Sequence, residues 1–180
     1  MTELVTERLV LRRMTADDLG WLAQLRGDAD VMRYIGSAGA VPLEQTRERL
    51  DRYLACWAAH GLGMFSVREG ADGSPVGWAG LQPLEGTEDI EVGYAFGPPA
   101  WGRGFATEAA RAVVRWGFDD RSLSRIVAVA YPENDASRRV MDKLGMRYEG
   151  TRLVHGVESV YYAVTPHDFA SASPRVMPKR

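Results

Sequence analysis

Trp101-Gly102-Arg103-Gly104-Phe105-Ala106-Thr107 lies between a segment that reads as a strand, Asp89–Phe96, and one that reads as a helix, Thr107–Asp119. Gly97-Pro98-Pro99 stops the strand, because proline has no N–H for a ladder. After the helix, Arg125–Tyr131 alternates in the manner of a second strand. A strand joined to the next strand through a glycine loop and a helix predicts a right-handed crossover and a parallel pair. This unit excludes an all-helical or purely antiparallel protein.

The flanking chain adds antiparallel material. Arg8–Arg12 reads as a first strand, and Thr15-Ala16-Asp17-Asp18 as a helix start. Leu19, Leu22 and Leu25 with Trp21 give that helix an apolar stripe to about Arg26. Gly36–Pro42 is a loop. Leu50, Leu54 and Trp57 mark one face of a second helix, Glu44–His60, which Gly61 and Gly63 end. Met64–Glu69 and Val76–Leu84 form a hairpin around Ala71–Pro75. Asn134–Leu144 reads as a helix closed by Gly145, and Arg147–Leu153 with Val157–Thr165 as a last hairpin around His155-Gly156. The order β α α β β β α β α β β predicts a mixed α/β (α+β) fold, with about four helices around a mostly antiparallel sheet. At 180 residues one domain is expected, over residues 1–170, with a flexible tail over 171–180.

Composition removes several function classes. Lys and Arg number 22 against 24 Asp and Glu, a net charge of −2, so no general nucleic-acid binder is expected. The lone cysteine, Cys56, cannot form an internal disulfide, and His60, His155 and His167 lack metal-ligand spacing, so no metal is expected. No apolar run reaches the roughly 20 residues of a membrane span. A polar start, Met1–Glu7, carries no signal-peptide core, so a cytoplasmic protein without a membrane partner is expected.

A glycine loop opening a helix is suited to anions. The first helical turn offers unpaired N–H groups and the positive dipole end, and glycine lets a phosphate approach the backbone. Without a ligand, the same loop is a tight connection. The Lys-Ser/Thr of a P-loop is absent. A dinucleotide fingerprint fails because Thr107 stands at its third small position, and Asp119 and Asp120 come too early for the ribose acid.

Glu91-Val92-Gly93-Tyr94-Ala95-Phe96 followed by Trp101-Gly102-Arg103-Gly104-Phe105-Ala106-Thr107-Glu108-Ala109 resembles the coenzyme-A-binding motif of the GNAT N-acetyltransferase superfamily. Asn134-Asp135-Ala136-Ser137 and the later Lys143-Leu144-Gly145-Met146 resemble the family's next motif. Thr6-Glu7-Arg8-Leu9-Val10-Leu11-Arg12 and Thr165-Pro166-His167-Asp168-Phe169 resemble its Rim-type branch, which includes acetyltransferases of ribosomal-protein N-termini. The likeness spans roughly residues 4–169.

The resemblance implies a cosubstrate, acetyl-CoA, bound between two splayed parallel strands. It implies pyrophosphate on the amides of Gly102, Arg103, Gly104, Phe105, Ala106 and Thr107, with Trp101 at the loop entrance and the Arg103 side chain on a phosphate. It implies pantetheine along the backbone of Tyr94, Ala95 and Phe96, extending the sheet, with Asn134 and Ser137 on the same arm. The amine attacks the thioester directly. Glu91 matches the position that often holds the base, acting through water. The tyrosine acid of many members is missing, since Val140 and Met141 stand there; Rim-type members use a serine in its place, here Ser137, or rely on water. Each residue also has a plainer role: Glu91 a strand carboxylate, Asn134 a helix cap, Ser137 and Arg103 solvated side chains.

The family builds its acceptor pocket from the first two helices and the last hairpin. Here Glu85, Glu88, Asp89 and Glu91 suggest an acidic rim, suited to a protein or peptide N-terminus or a small cationic amine. The expected partners are acetyl-CoA, an amine acceptor and, as is frequent in the family, a second copy of the chain in a homodimer. A rival reading is an acyl-CoA-binding module without efficient catalysis, acting as sensor or partner protein.

Overall fold

A computed structural model describes residues 3–36, 39–71 and 73–172. Eight strands form one sheet: β1 (Glu3–Val5), β2 (Leu9–Arg13), β3 (Met64–Glu69), β4 (Pro75–Pro83), β5 (Ile90–Phe96), β6 (Ile126–Ala130), β7 (Arg147–Val154) and β8 (Val157–Val164). Their spatial order is β1-β2-β3-β4-β5-β6-β8-β7. Every neighbouring pair is antiparallel except β5 and β6, which are parallel. The expected crossover is present, with α4 (Phe105–Asp119) between the two parallel strands.

Helices cover both faces. On one side lie α1 (Leu19–Arg26), entered by a 3₁₀ turn at Ala16–Asp18, then α2 (Ala29–Met32) and α3 (Leu43–His60). Leu22, Val31, Leu50 and Tyr53 from these helices pack on Met64, Trp78 and Ala95 of the sheet. On the other side Phe105, Ala109, Ala110, Val113 and Val114 of α4, Val140 and Met141 of α5 (Asp135–Lys143), and Phe169 of α6 (Pro166–Ala172) close the larger core. No described helix is long and apolar enough to cross a membrane.

Three elements go beyond the expected order and bring the helices among the described residues to six, where about four are expected. β1 is a three-residue edge strand whose charged Glu3 pairs Arg12, too short for an alternation to show. α2 is a single turn, started by Asp28 accepting from the N–H of Asp30 and Val31. α6 begins at Pro166, with Thr165 and Asp168 bonded reciprocally in its first turn. The Thr-Pro-x-Asp run carries that start signal in the sequence. Ser171 and Ala172 belong to this helix rather than to the expected tail. The remainder of that expectation, 173–180, lies outside the described residues.

Two local features shape the middle of the sheet. β5 and β6 are in register at one pair only, Glu91 with Val127. Beyond it the strands part, and β5 runs on to Phe96 paired with β4 alone. The Gly97 N–H bonds the Val76 carbonyl on β4. An antiparallel ladder alternates its bonding direction residue by residue, so the backbone groups of Tyr94 and Phe96 turn the other way, into the gap.

Candidate active site

The gap has the glycine loop at its mouth. Gly102 (φ 73°) and Gly104 (φ 79°) are both left-handed, a conformation that strains any residue with a Cβ. Gly104 is the N-cap of α4, and its carbonyl accepts the first helical bond, from the Glu108 N–H. The N–H groups from Gly104 to Thr107 therefore have no acceptor within the helix. α4 starts two residues earlier than expected, at Phe105, whose ring is fully buried. Trp101 is about half exposed (49%), and its indole Nε1 donates to the Phe96 carbonyl at 2.6 Å. That bond folds the loop back onto the end of β5 and occupies one of the carbonyls facing the gap.

The Arg103 guanidinium is committed elsewhere. It forms a two-pronged pair with Glu69 at 2.8 and 2.5 Å and lies 4.3 Å over the Phe105 ring.

A second arginine, which the sequence reading left without a role, braces the loop. Arg8 donates from Nη1 to the Arg103 carbonyl (2.9 Å) and from Nε to Glu108 Oε2 (2.7 Å). Thr6 Oγ1 and the Arg8 N–H donate to the other Glu108 oxygen, at 2.6 and 2.9 Å. Burial opposes ionisation of Glu108, but these bonds and the Arg8 charge prevail and hold the carboxyl below its ordinary range. The sign follows: this stabilisation is present above the ordinary carboxylate pKa and is lost as pH falls through the lowered value. Glu108→Gln is expected to remove about 1–2 kcal/mol of stability at neutral pH, to flatten that acid-side loss, and to weaken acetyl-CoA binding several-fold. Urea unfolding across pH 3–7 and calorimetry check all three.

On the far side of the gap, Asn134 caps α5, its Oδ1 accepting from the Ser137 N–H at 3.1 Å. This is the cap role; its Nδ2 makes no bond with any described residue. The Tyr94 hydroxyl reaches from β5 to Ser137, 2.9 Å from Oγ and 3.2 Å from the carbonyl oxygen. Burial pushes the Tyr94 phenol well above its ordinary range, and the bond to Ser137 only partly offsets this. Tyr94 and Ser137 thus form a neutral hydroxyl pair across the gap. A tyrosine at the strand end was legible in the sequence, but nothing in its spacing said that its hydroxyl would find Ser137.

Glu91 sits at the apex where β5 and β6 part. It shares its face with Ala95, under α1 and α3, and is 9% exposed. Burial raises its pKa, while the Gln82 amide (2.5 Å) and the charges of His155 and Arg49 draw it back in part. His155 belongs to the β7–β8 turn, where His155 (φ 50°) and Gly156 (φ 78°) are both left-handed, as a two-residue type I′ hairpin requires.

Of the expected acidic rim, Glu85 and Glu88 are exposed, whereas Glu91 is buried and Asp89 is partnered. Asp89 accepts from Arg125 Nε (3.1 Å) and from the Tyr161 hydroxyl (2.6 Å), and Arg125 also holds Glu149 at 2.7 Å. Burial and the Asp89 contact push the Tyr161 phenol up to about 12. This cluster ties the N-terminal ends of β5 and β6 to Tyr161 of β8. Glu85 lies 3.6 Å from His155. No group of three or more metal-ligating side chains occurs among the described residues.

Comparison with known proteins agrees with this layout. A family model described as an acetyltransferase (GNAT) domain matches residues 8–147. An uncharacterized Bacillus subtilis protein, YkkB, is 36% identical over 83% of this chain and 88% of its own length. An uncharacterized N-acetyltransferase from Bacillus licheniformis, p20, is 30% identical over 83% and 85%. Among solved structures, a GNAT-family acetyltransferase from Bacillus anthracis superposes with a TM-score of 0.77 at 30% identity, over 91% of this chain and 98% of that one.

Proposed function

The chain belongs to the GNAT acetyltransferase family and is an acetyltransferase, and on that premise we propose that it moves an acetyl group directly from acetyl-CoA to a primary amine. The observation that carries this reading is the split between β5 and β6 after their single paired position, with two left-handed glycines at its mouth. Pantetheine takes the place of the missing strand, bonding the Tyr94 carbonyl and the Phe96 N–H, with Ala95 between them and the Asn134 amide opposite. Pyrophosphate lies on the amides from Gly102 to Thr107, at the positive end of α4.

Glu91 acts as the base. Its raised pKa brings it nearer to that of the ammonium it must deprotonate, through an intervening water. The amine nitrogen attacks the thioester carbon and the carbon–sulfur bond breaks. The Tyr94 N–H, facing the gap, stabilises the oxyanion. Ser137 Oγ, held by Tyr94, hydrogen-bonds the departing thiolate, whose proton balances through solvent the one that Glu91 removed. Within the family we place the chain on the Rim-type branch, because Thr6 and Arg8 of the characteristic opening are the residues that hold Glu108. The chain works in the cytoplasm and has a homodimer as its expected assembly.

The test is calorimetric titration with acetyl-CoA, NAD as control, followed by thiol release against an amine panel. Binding of acetyl-CoA but not NAD, with amine-dependent thiol release, supports the reading. Binding without release from any amine makes the protein an acyl-CoA-binding module. No binding by the folded protein removes the reading altogether.

A further inference from the structure

On the α1–α3 side, the guanidinium groups of Arg26, Arg49 and Arg52 gather around Tyr53. Arg26, in the last turn of α1, is 7% exposed, and its Nε is buried without a hydrogen-bond partner. It forms no ion pair with any described residue, and no carbonyl at the end of α1 reaches it. Arg49 of α3 repeats the pattern: its Nε is buried and unpartnered, and its guanidinium lies 5.9 Å from the Tyr53 ring. Arg52 stands beside Tyr53 on the same helix. The charges of Arg26, Arg49 and Arg52 all act on the buried Tyr53 hydroxyl, which also feels Glu91. Arg49 in turn acts on Glu91. The cluster therefore borders the base.

Arg68 and Arg138 also bury an unpartnered Nε, but each places a terminal nitrogen on a backbone carbonyl and near a carboxylate. The more exposed arginines are paired too. Arg8 meets Glu108, Arg103 meets Glu69, and Arg125 meets Asp89 and Glu149. An unpaired buried cation is costly, and proteins retain one where something else supplies the counter-charge. Burial pulls the Arg26 guanidinium below its usual range and Arg49 and Arg52 add to this, while Glu91, whose own pKa is raised by burial, acts on Tyr53 beside them. A planar guanidinium fork with a phenol beside it matches an oxyanion.

We propose that the acceptor amine carries an oxyanion, a carboxylate or a phosphoryl group, which Arg26 and Arg49 receive beside Tyr53, so that the amine is set against Glu91. This rests on the acetyltransferase reading above and narrows its acceptor to amines bearing an acid. Polyamines, which bring only positive charge, are disfavoured by repulsion from the same groups.

The test has a binding arm and a turnover arm, both with saturating acetyl-CoA. In the first, thermal unfolding is followed in succinate and in phosphate against chloride at matched ionic strength. Wild type is expected to melt several degrees higher in at least one oxyanion, and Arg26→Met to lose that shift. In chloride, Arg26→Met should melt no lower than wild type, because it removes a buried charge that has no partner. In the second arm, amino acids are assayed by thiol release against the amines left when their carboxylate is removed, with aminoalkylphosphonates separating phosphoryl from carboxylate recognition and spermidine as the purely cationic case. Acid-bearing amines are expected to show at least tenfold higher kcat/KM than their acid-free partners. Arg49→Met, at a half-buried position, should collapse that ratio through acceptor KM. Oxyanions that stabilise no better than chloride, an Arg26→Met that melts well below wild type, or acid-free amines that react as well as their partners would each overturn the proposal. An amine that reacts without acid preference sinks this inference alone, whereas failure to bind acetyl-CoA sinks the transferase reading first.

Discussion

Gly104→Glu is expected to bring acetyl-CoA binding below detection, a loss of at least 100-fold, while the protein still folds. Two effects act at one position. The new carboxylate stands at the N-terminus of α4, where it competes with the pyrophosphate for the same N–H groups and repels its charge. A side chain at φ 79° also adds roughly 1–2 kcal/mol of backbone strain. Space is not the obstacle, since the nearest atom to a Cβ there is Arg8 Nη2 at 3.6 Å. Gly104→Ala separates the effects, because it carries the strain without the charge. Alanine should lower the melting temperature about as much as glutamate does and reduce acetyl-CoA affinity far less. Calorimetry and thermal unfolding of both variants check this. If alanine and glutamate weaken binding equally, the loop's shape matters and its anion-binding amides do not.

Glu91→Gln is expected to lower kcat roughly 10²–10⁴-fold, the usual contribution of a positioned base, with acetyl-CoA affinity unchanged. The glutamine amide keeps the bond with Gln82 by presenting its oxygen, so the packing survives and the proton acceptor is lost. In wild type, kcat/KM should rise with pH through a group whose pKa lies above the ordinary carboxylate value of about 4.3, and Glu91→Gln should erase that limb. The stability consequence has the opposite sign to that at Glu108. A carboxyl whose pKa is raised on folding holds its proton more tightly in the native state, so stability falls as pH climbs from the ordinary value to the raised one. Above that window Glu91→Gln should be more stable than wild type. A variant both inactive and more stable at neutral pH is the signature of a group kept for chemistry. An inactive and less stable variant would mark Glu91 as a packing residue.

The crossover unit and the glycine loop were legible because each depends on short-range rules. Glycine, proline and alternating apolar residues mark where a strand must stop and a helix must start. The same rules located α3 to within a residue and closed it at Gly61. What stayed hidden was long-range. Arg8 and Glu108 are about a hundred positions apart, and no local pattern says that one will brace the other. Sequence offers Tyr94 only as backbone for pantetheine, whereas its hydroxyl meets Ser137. The four acids near the end of β4 looked like one rim in sequence, yet Asp89 is drawn to Arg125 and Tyr161 while Glu91 turns under α3. Arg26 drew no attention, because an arginine at the end of a helix is ordinary until its burial is known.

The division of the sheet between β5 and β6 also bears on how the chain survives before it meets its cosubstrate. A closed sheet hides its inner backbone groups, but a split one has two additional edges, and an unsatisfied edge is a template for a strand from another molecule. Here the split is obstructed from within. The Trp101 indole caps the last β5 carbonyl at the mouth, the Tyr94–Ser137 pair ties β5 to α5, and Arg125 with Asp89 and Tyr161 clamps the closed end. A foreign strand would have to displace all three, whereas a slender thioester arm has only to thread between them. The groups that frame the cleft therefore also guard the newly made chain against β-aggregation.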